Sequence, residues 1–244
     1  MKNIKRTLTL AVICIASSSL FSQNLEEVVS KHIEAIGGKD NWAKIKSLKM
    51  ENAVKANGAE IKVTIYQIDK KAMRENITLM GMEGYSILTN TEGWTYMPFG
   101  GQTKPEAMTA DDVKKGQDGL NLMDDFMTYK ELGKKLELIG KDDVDGTECF
   151  KLKMIDKDKT ETTYYIDPSN YYVIKETHKK MVNGKETENS TTYGNYKKLP
   201  EGIVYAYSIA SDWGNAEVSN LTINPTIDEA LFKPTTPAPA APTK

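Results

Sequence analysis

The chain has very few of the residues on which most reactive sites depend. Its 244 residues include 2 cysteines and 2 histidines, too few ligands for a zinc finger, an iron–sulfur cluster or a disulfide scaffold. Only Arg6 and Arg74 among its 32 basic residues are arginines, which disfavours an arginine cluster for phosphates. The net charge of −2 gives no basic excess for nucleic acid. We therefore expect no nucleic-acid partner, no metal site and no cofactor.

Catalytic motifs are also missing. The sequence contains no Gly-x-Ser-x-Gly elbow, phosphate-cradling loop, His-Glu-x-x-His or Cys-x-x-Cys. His32 falls on the apolar face of a predicted helix, which favours a structural role, and His178 lies among lysines, which favours a solvated one. Acidic pairs such as Asp111-Asp112 and Asp124-Asp125 are typical of helix caps and turns. The sequence predicts no catalytic residue and a protein that is not an enzyme.

The N-terminus has the pattern of a secretory signal peptide. Three basic residues within the first six precede an apolar run from Leu8 to Ala16 and a short serine stretch. This run is shorter than the ~20 residues that a membrane span needs. We predict that residues 1–22 are cleaved and that the protein is periplasmic and not transmembrane. Cys149 then remains as a single thiol, which we expect to be buried.

The rest of the chain divides into a helical start and a long run of strands. Asn24 as a cap and Gly37-Gly38 as a stop bound a predicted amphipathic helix, and a helical turn with Trp42 and Ile45 follows. Beyond this turn, apolar and polar residues alternate in short runs separated by turn residues. The predicted strands are Leu48–Ala56, Glu60–Ile68, Met73–Leu79, Tyr85–Thr89, Gly93–Met97, Leu136–Gly140, Glu148–Ile155, Glu161–Ile166, Tyr171–Met181, Glu186–Tyr196, Ile203–Ala210 and Ala216–Ile223.

The mid-chain segment, residues 98–133, interrupts the strand pattern. It contains two predicted helical pieces, one capped by Thr109 with Asp112 three residues on, the other from Leu120 to Phe126. We expect a mainly β (α+β) fold. In it, a strongly curved antiparallel sheet forms an incomplete barrel, and the N-terminal helix and a mid-chain helical lid cover its concave face. Residues 23–233 form one predicted domain, and residues 234–244 form a predicted disordered Pro/Ala-rich tail.

Methionine is concentrated in one part of the sequence. Of the eleven methionines, seven lie between positions 73 and 127. Thioether side chains adapt their shape at little cost, so they suit a pocket for flexible acyl chains, although they also fill irregular cores. The residues predicted to line an apolar cavity are Met80, Met82, Trp94, Tyr96, Met108, Leu120, Leu122, Met123, Phe126 and Met127. We further expect Trp94 and Tyr96 to share one face of their strand.

Several stretches resemble the LolA-like family of outer-membrane lipoprotein-sorting proteins. The run from Tyr85 to Phe99 is similar to a LolA strand pair in which Ser-Ile-Leu leads into Trp-x-Tyr-x-Pro-Phe. Met73-Arg74-Glu75 is similar to the aromatic-Arg run before it. The stretch from Asn224 to Pro234 resembles the ending of many relatives, and Ala35 to Gly38 resembles the opening of a secreted subset.

This resemblance implies a half-barrel with an apolar cavity under a lid of helices. Its function would be to carry lipoprotein acyl chains or other lipids toward the outer membrane, between an inner-membrane donor and an outer-membrane acceptor, without catalysis. The arginine that holds the lid in LolA would fall near Asp69 or Lys70, where this chain has no arginine. Two alternatives stay open, namely a periplasmic sensing module on the same fold and a secreted hydrolase with paired carboxylates.

Overall fold

The computed structural model describes residues 24–56, 58–182, 185–212 and 214–235. The predicted signal peptide lies outside these residues, as does the predicted tail beyond Thr235. None of the helices in the described part of the chain is long and apolar enough to cross a membrane.

The described residues form an antiparallel sheet with short helices. The α-helices are α1 (24–35), α2 (Lys39–Trp42), α3 (Ala110–Gly116) and α4 (Asp125–Thr128). Single 3-10 turns occupy Pro98–Gly100, Gln117–Leu120 and Glu229–Phe232. The strands are β1 (Ser47–Ala56), β2 (Ala59–Ile68), β3 (Ala72–Leu79), β4 (Met82–Thr89), β5 (Gly93–Tyr96), β6 (Glu106–Ala107), β7 (Lys135–Val144), β8 (Thr147–Ile155), β9 (Glu161–Ile166), β10 (Val173–Val182), β11 (Lys185–Lys198), β12 (Val204–Ser211) and β13 (Gly214–Ile223).

The strands pair in the order β6-β5-β4-β3-β2-β1-β13-β12-β11-β10-β9-β8-β7. Strands next to each other in the sequence are neighbours in the sheet, except β6 and β7, and β1 also pairs with β13. Within the described residues the two edge strands, β6 and β7, do not pair, so the sheet is not closed into a barrel. The expected mainly β, antiparallel, incomplete barrel with helices is confirmed.

Each predicted strand is present, with ends shifted by up to four residues. Hairpin turns explain this agreement, because turn residues with positive φ, such as Lys70 and Gly146, separate consecutive strands. The strand β6 was not predicted, since two residues carry no periodicity. The predicted helical start is confirmed, and Gly37 and Gly38, both at positive φ, end α1. The second predicted mid-chain helix is wrong in its extent, because a 3-10 turn and α4 replace it.

Contacts between residues divide the chain into two compact units. The first unit contains residues 39–124 and 193–235, and the second contains residues 24–38 and 125–192. The mid-chain segment is divided between them, with α3 in the first unit and α4 in the second.

In the second unit, α1 and α4 supply aromatic side chains to a buried core. The His32 ring meets the Phe126 ring edge-on with centroids 4.8 Å apart, and Phe126 meets Tyr164 at 4.9 Å. His32 is 2% exposed and its Nδ1 lies 2.7 Å from the Tyr171 carbonyl oxygen, so the ring belongs to the buried core, where its position on an apolar helix face would place it. Cys149 is fully buried and unpaired, as predicted.

Candidate functional site

Strands β1 to β5 of the first unit present two faces with different cover. Pairing brings Ile87 opposite Trp94 and Leu88 opposite Gly93. Because successive side chains of a strand point to opposite sides, Ile87 and Leu88 mark the two faces. We call them the Ile87 face and the Leu88 face.

The first part of the mid-chain segment covers the Leu88 face. Leu88 packs with Val113 of α3 and with Leu120, and Met73 and Met108 join this cluster. Thr109 caps α3 by accepting a hydrogen bond from the Asp112 amide at 3.1 Å, as its spacing predicted. A capping residue fixes where the helix begins, so it also fixes where Val113 meets the sheet.

Four hydrogen bonds fasten residues 117–122 to the strands beneath them. The Gln67 amide donates to the Gly119 carbonyl at 2.9 Å, and the Gln117 amide donates to the Thr89 carbonyl at 3.0 Å. At the β2–β3 turn, the Lys70 backbone amide donates to the Leu120 carbonyl at 2.8 Å.

The fourth bond comes from the Asp69 carboxylate. Its Oδ1 accepts from the Leu122 amide at 3.0 Å. Asp69 and Lys70 therefore bind the mid-chain segment at the position where the family resemblance would place an arginine.

Beneath this fastened segment lies a cavity of about 250 Å³. Most of its lining is aliphatic or aromatic, with amide, carboxylate and phenol groups among it. The lining residues are Trp42, Ile45, Leu48, Gln67, Asn121, Leu122, Asp124, Ile203, Tyr205 and Ile223. All of them belong to the first unit. Such a lining accepts an apolar chain and offers a few polar groups to orient it.

Tyr205 and Gln67 are polar groups of the cavity floor. Burial raises the pKa of the Tyr205 phenol, so it stays a neutral hydrogen-bond donor at neutral pH. The Gln67 amide is 7% exposed and committed to Gly119. The floor can therefore offer a hydroxyl to a cargo, but it presents no charge from these two residues.

A band of half-buried aliphatic residues continues the Leu88 face away from the cavity. Its members lie on β1, β2 and β3 in register with one another: Val54, Ile61, Val63, Ile65, Ile77 and Leu79. Glu75 lies in the same face beside Ile65 and Ser86, and burial raises the pKa of its carboxyl. Side chains of this kind, partly exposed and apolar, can extend a binding surface beyond the cavity.

Four of the ten residues predicted to line a cavity lie elsewhere in the first unit. Trp94 and Tyr96 do share one face, but it is the Ile87 face, where they pack with Phe232. Met80 occupies the β3–β4 turn at φ 53° and is 85% exposed, and Met82 next to it is 39% exposed.

The other six divide between the two units. Met108 and Leu120 pack on the Leu88 face, and Leu122 lines the cavity. Met123 is half-buried in the first unit. In the second unit, Phe126 and Met127 are buried. Of the predicted residues in the first unit, Leu122 lines the cavity, and Met108 and Leu120 pack on the Leu88 face without lining it.

Sequence reasoning missed most of the lining. Strand alternation could have identified Leu48, Tyr205 and Ile223, since Leu48 lies opposite Ile223 and all three pack in one cluster. The methionine-rich stretch includes Met80 and Met82 near the β3–β4 turn, and neither of these residues lines the cavity.

The second unit contains a cluster of charged side chains. The Lys134 ammonium is 8% exposed and lies 3.2 Å from the Asp156 carboxylate and 3.7 Å from that of Asp125. The Tyr164 hydroxyl donates to Asp125 at 2.7 Å. A buried lysine between two carboxylates compensates their charge, which is the arrangement of an internal ion network.

His178 belongs to the same unit, and the expectation that it is solvated is only partly right. Its ring lies 3.0 Å from the Thr162 hydroxyl and 3.2 Å from the Glu176 carboxylate. Hydrogen bonding to Glu176 raises the pKa of His178. Among the described residues, no group of three or more His, Cys, Asp or Glu side chains could hold a metal ion.

Comparison with known proteins adds evidence on the fold. No protein-family model matches the chain, and no curated protein matches it by sequence. Among solved structures, it is similar to a putative outer membrane lipoprotein-sorting protein domain from Vibrio parahaemolyticus, with 15% identity, a TM-score of 0.53 and coverage of 84% of this chain and 94% of that one.

Two further structures match over similar lengths. A DUF1329 family protein from Desulfovibrio piger has 12% identity, and a LolA superfamily protein from Nitrosomonas europaea has 13%. Both have a TM-score of 0.54 and cover 85% of this chain and 96% of their own. The chain therefore has the fold of LolA-superfamily and lipoprotein-sorting proteins, as its sequence resemblance predicted.

Proposed function

We propose that this protein is a periplasmic carrier, not an enzyme, that binds lipoprotein acyl chains or other lipids and moves them toward the outer membrane. The observation that carries the proposal is the 250 Å³ cavity beneath residues 117–124, with its mainly apolar lining. The LolA-superfamily fold supports it. An inner-membrane donor and an outer-membrane acceptor, like export through cleavage of residues 1–22, form part of the proposal.

The cavity size sets how much of a lipid it can hold. Ligand pockets commonly measure roughly 300–1,000 Å³, so this cavity accommodates part of a lipid and not all of it. Each methylene removed from water contributes about 0.8 kcal/mol, so burying one acyl segment gives useful affinity without any reactive group. The remainder of the acyl chain would lie along the half-buried aliphatic band.

Leu122 offers the sharpest test of this site, because it lines the cavity from the mid-chain segment. Leu122→Trp should fill the cavity and weaken binding of a fluorescent fatty acid. The matched control is Ile227→Trp, since Ile227 is also half-buried but packs on the Ile87 face. Melting curves of both variants establish that they are folded.

Native mass spectrometry of protein purified from the periplasm identifies the cargo. A lipid or an acylated peptide that leaves with wild-type protein, and is lost from Leu122→Trp, supports the carrier. Equal fatty-acid binding by wild type and Leu122→Trp would contradict the proposed site. Recovery of a partner protein without lipid would favour the sensing module instead.

A further inference from the structure

A second cavity lies on the Ile87 face, on the opposite side of the sheet from the cavity that Leu122 lines. It measures about 260 Å³ and is formed by β2, β3 and β4. Polar side chains dominate its lining, which consists of Thr64, Arg74, Asn76, Ile77, Thr78, Glu83, Gly84 and Tyr85. All of these residues belong to the first unit.

Arg74 is the charged group at one end of this second cavity. It is 8% exposed, and its guanidinium carbon lies 4.2 Å from the centroid of the Tyr85 ring. Its Nε donates to Asn76 Oδ1 at 2.6 Å and its Nη1 donates to the Leu231 carbonyl at 2.7 Å. These acceptors are neutral, and they use two of the five N–H groups of the guanidinium.

In the described part of the chain, Arg74 has no carboxylate as a counter-ion. Within the residues that the structure describes, Arg74 forms no ion pair, and burial lowers the pKa of its guanidinium without removing its charge at neutral pH. A buried charge that lacks a counter-ion is unfavourable, because the protein interior solvates it less well than water. An anion bound in the cavity would supply that counter-ion.

Three further donors line the same cavity. Asn76 uses its Oδ1 to accept from Arg74, so its amide N–H groups are left for another partner. The Thr64 and Thr78 hydroxyls, like these N–H groups, form no hydrogen bond with any residue in the described ranges. Thr64, Asn76 and Thr78 are half-buried in the cavity lining, so their unused donors, beside an arginine without an ion pair, are available to an acceptor that enters the cavity.

Register explains how the donors converge. Arg74, Asn76 and Thr78 are alternate residues of β3 and therefore share a face, and Thr64 of β2 lies directly opposite Asn76. Glu83, which is exposed, lies opposite Thr78 at the far end of the row. The positive end and the negative end of the cavity are thus separated along the strands.

We propose that this cavity binds a phosphate group carried by a small organic molecule or by a lipid headgroup. The Arg74 guanidinium pairs with the phosphate, and the Asn76 amide and the threonine hydroxyls donate to its other oxygens. With the guanidinium, the donors of Asn76, Thr64 and Thr78 outnumber the two oxygens of a carboxylate and suit the three acceptor oxygens of a phosphate group. The Glu83 carboxylate repels a second anion, so the site takes one phosphate group.

Calorimetric titration with glycerol 3-phosphate tests the site, with inorganic phosphate and phosphatidylglycerol vesicles as further probes. Arg74→Gln should weaken binding at least about tenfold, since a charge-assisted contact is lost. Lys114→Gln removes the same charge from α3, which packs on the Leu88 face, and should leave binding unchanged. Glu83→Gln should tighten binding by removing the repulsion.

A double variant, Thr64→Val with Thr78→Val, keeps the test decisive if Arg74→Gln unfolds. Those hydroxyls bond to nothing in the described chain, so the double variant should fold and bind more weakly. Arg74-dependent binding of soluble phosphates would identify a free ligand, and Arg74-dependent binding of vesicles alone would identify a headgroup. Binding that folded Arg74→Gln retains in full, or no binding of any probe by wild type, would overturn the proposal.

Discussion

Replacing Asp69 by Ala should release the mid-chain segment from the β2–β3 turn. The Asp69 carboxylate accepts the Leu122 amide at 3.0 Å, one of four hydrogen bonds that hold residues 117–122. In Asp69→Ala the Leu122 amide loses its acceptor, whereas Asp69→Asn keeps an oxygen at the same place. The two variants therefore separate loss of the bond from loss of the charge.

The magnitude follows from the kind of bond that is removed. A hydrogen bond to a charged group contributes about 1.5–3 kcal/mol, so local opening of residues 117–122 should become easier by that amount. Since about 1.4 kcal/mol corresponds to a factor of ten, amide exchange in this stretch should accelerate about 10- to 100-fold. Asp69→Asn should retain most of the protection.

Hydrogen exchange measured by mass spectrometry resolves this stretch from the strands. Peptides that cover residues 117–122 should exchange faster in Asp69→Ala, while peptides from β3 and β4 should be unchanged. Because Leu122 lines the cavity, a fluorescent fatty acid should also bind faster. Unchanged exchange in residues 117–122 would refute the conclusion that Asp69 fastens the segment.

Four further predictions concern three side chains. Trp94→Ala should lower the free energy of unfolding by about 3 kcal/mol, the low end of the range for removing a large aromatic ring, because Trp94 is half-buried. It should leave fatty-acid binding intact, and weakened binding would contradict the position of Trp94 on the Ile87 face. Trp94→Phe should lower the free energy of unfolding by less than about 1 kcal/mol. The buried indole N–H has no partner in the described residues, so its removal breaks no hydrogen bond. Cys149 should label with thiol reagents only on unfolding, since burial raises its pKa to about 11, and fast labelling of folded protein would disprove this. Burial raises the pKa of Glu75, so ionisation of its carboxyl opposes folding as the pH rises above the pKa in the unfolded chain. Glu75→Gln should therefore stabilise the protein more at about pH 8 than at about pH 4. An equal effect at both pH values would contradict the raised pKa.

Strand alternation predicted the elements of the fold because it is a local property. β9 was predicted with its observed ends, Glu161–Ile166, and β1 and β2 each differ from the predictions by one residue. β6 pairs Glu106 and Ala107 with β5, but a two-residue strand has no repeat to detect. The turn residues between consecutive strands then predicted a single antiparallel sheet, and the resemblance to LolA-like sequences implied the same half-barrel.

Which face of the sheet lines the cavity could not be predicted from alternation. Trp94 and Tyr96 were correctly assigned to one face, but alternation does not say which face the mid-chain segment covers. That is decided by contacts distant in sequence, such as Leu88 with Leu120 on one face and Ile87 with Phe232 on the other. Both faces of these strands bury aromatic or large aliphatic groups, so the size of the Trp94 ring does not indicate which face lines the cavity.

Because the two faces differ, residues that are adjacent in the sequence lie in different environments. Arg74 and Glu75 are adjacent on β3, so one side chain enters the polar cavity of the Ile87 face and the other lies in the aliphatic band of the Leu88 face. Arg74 is buried and Glu75 half-buried, and neither forms an ion pair with any described residue. A carrier for a molecule with an apolar chain needs the second environment, and a phosphate site needs the first. Because the two cavities share a strand but no lining residue, variants on one face should leave binding at the other unchanged.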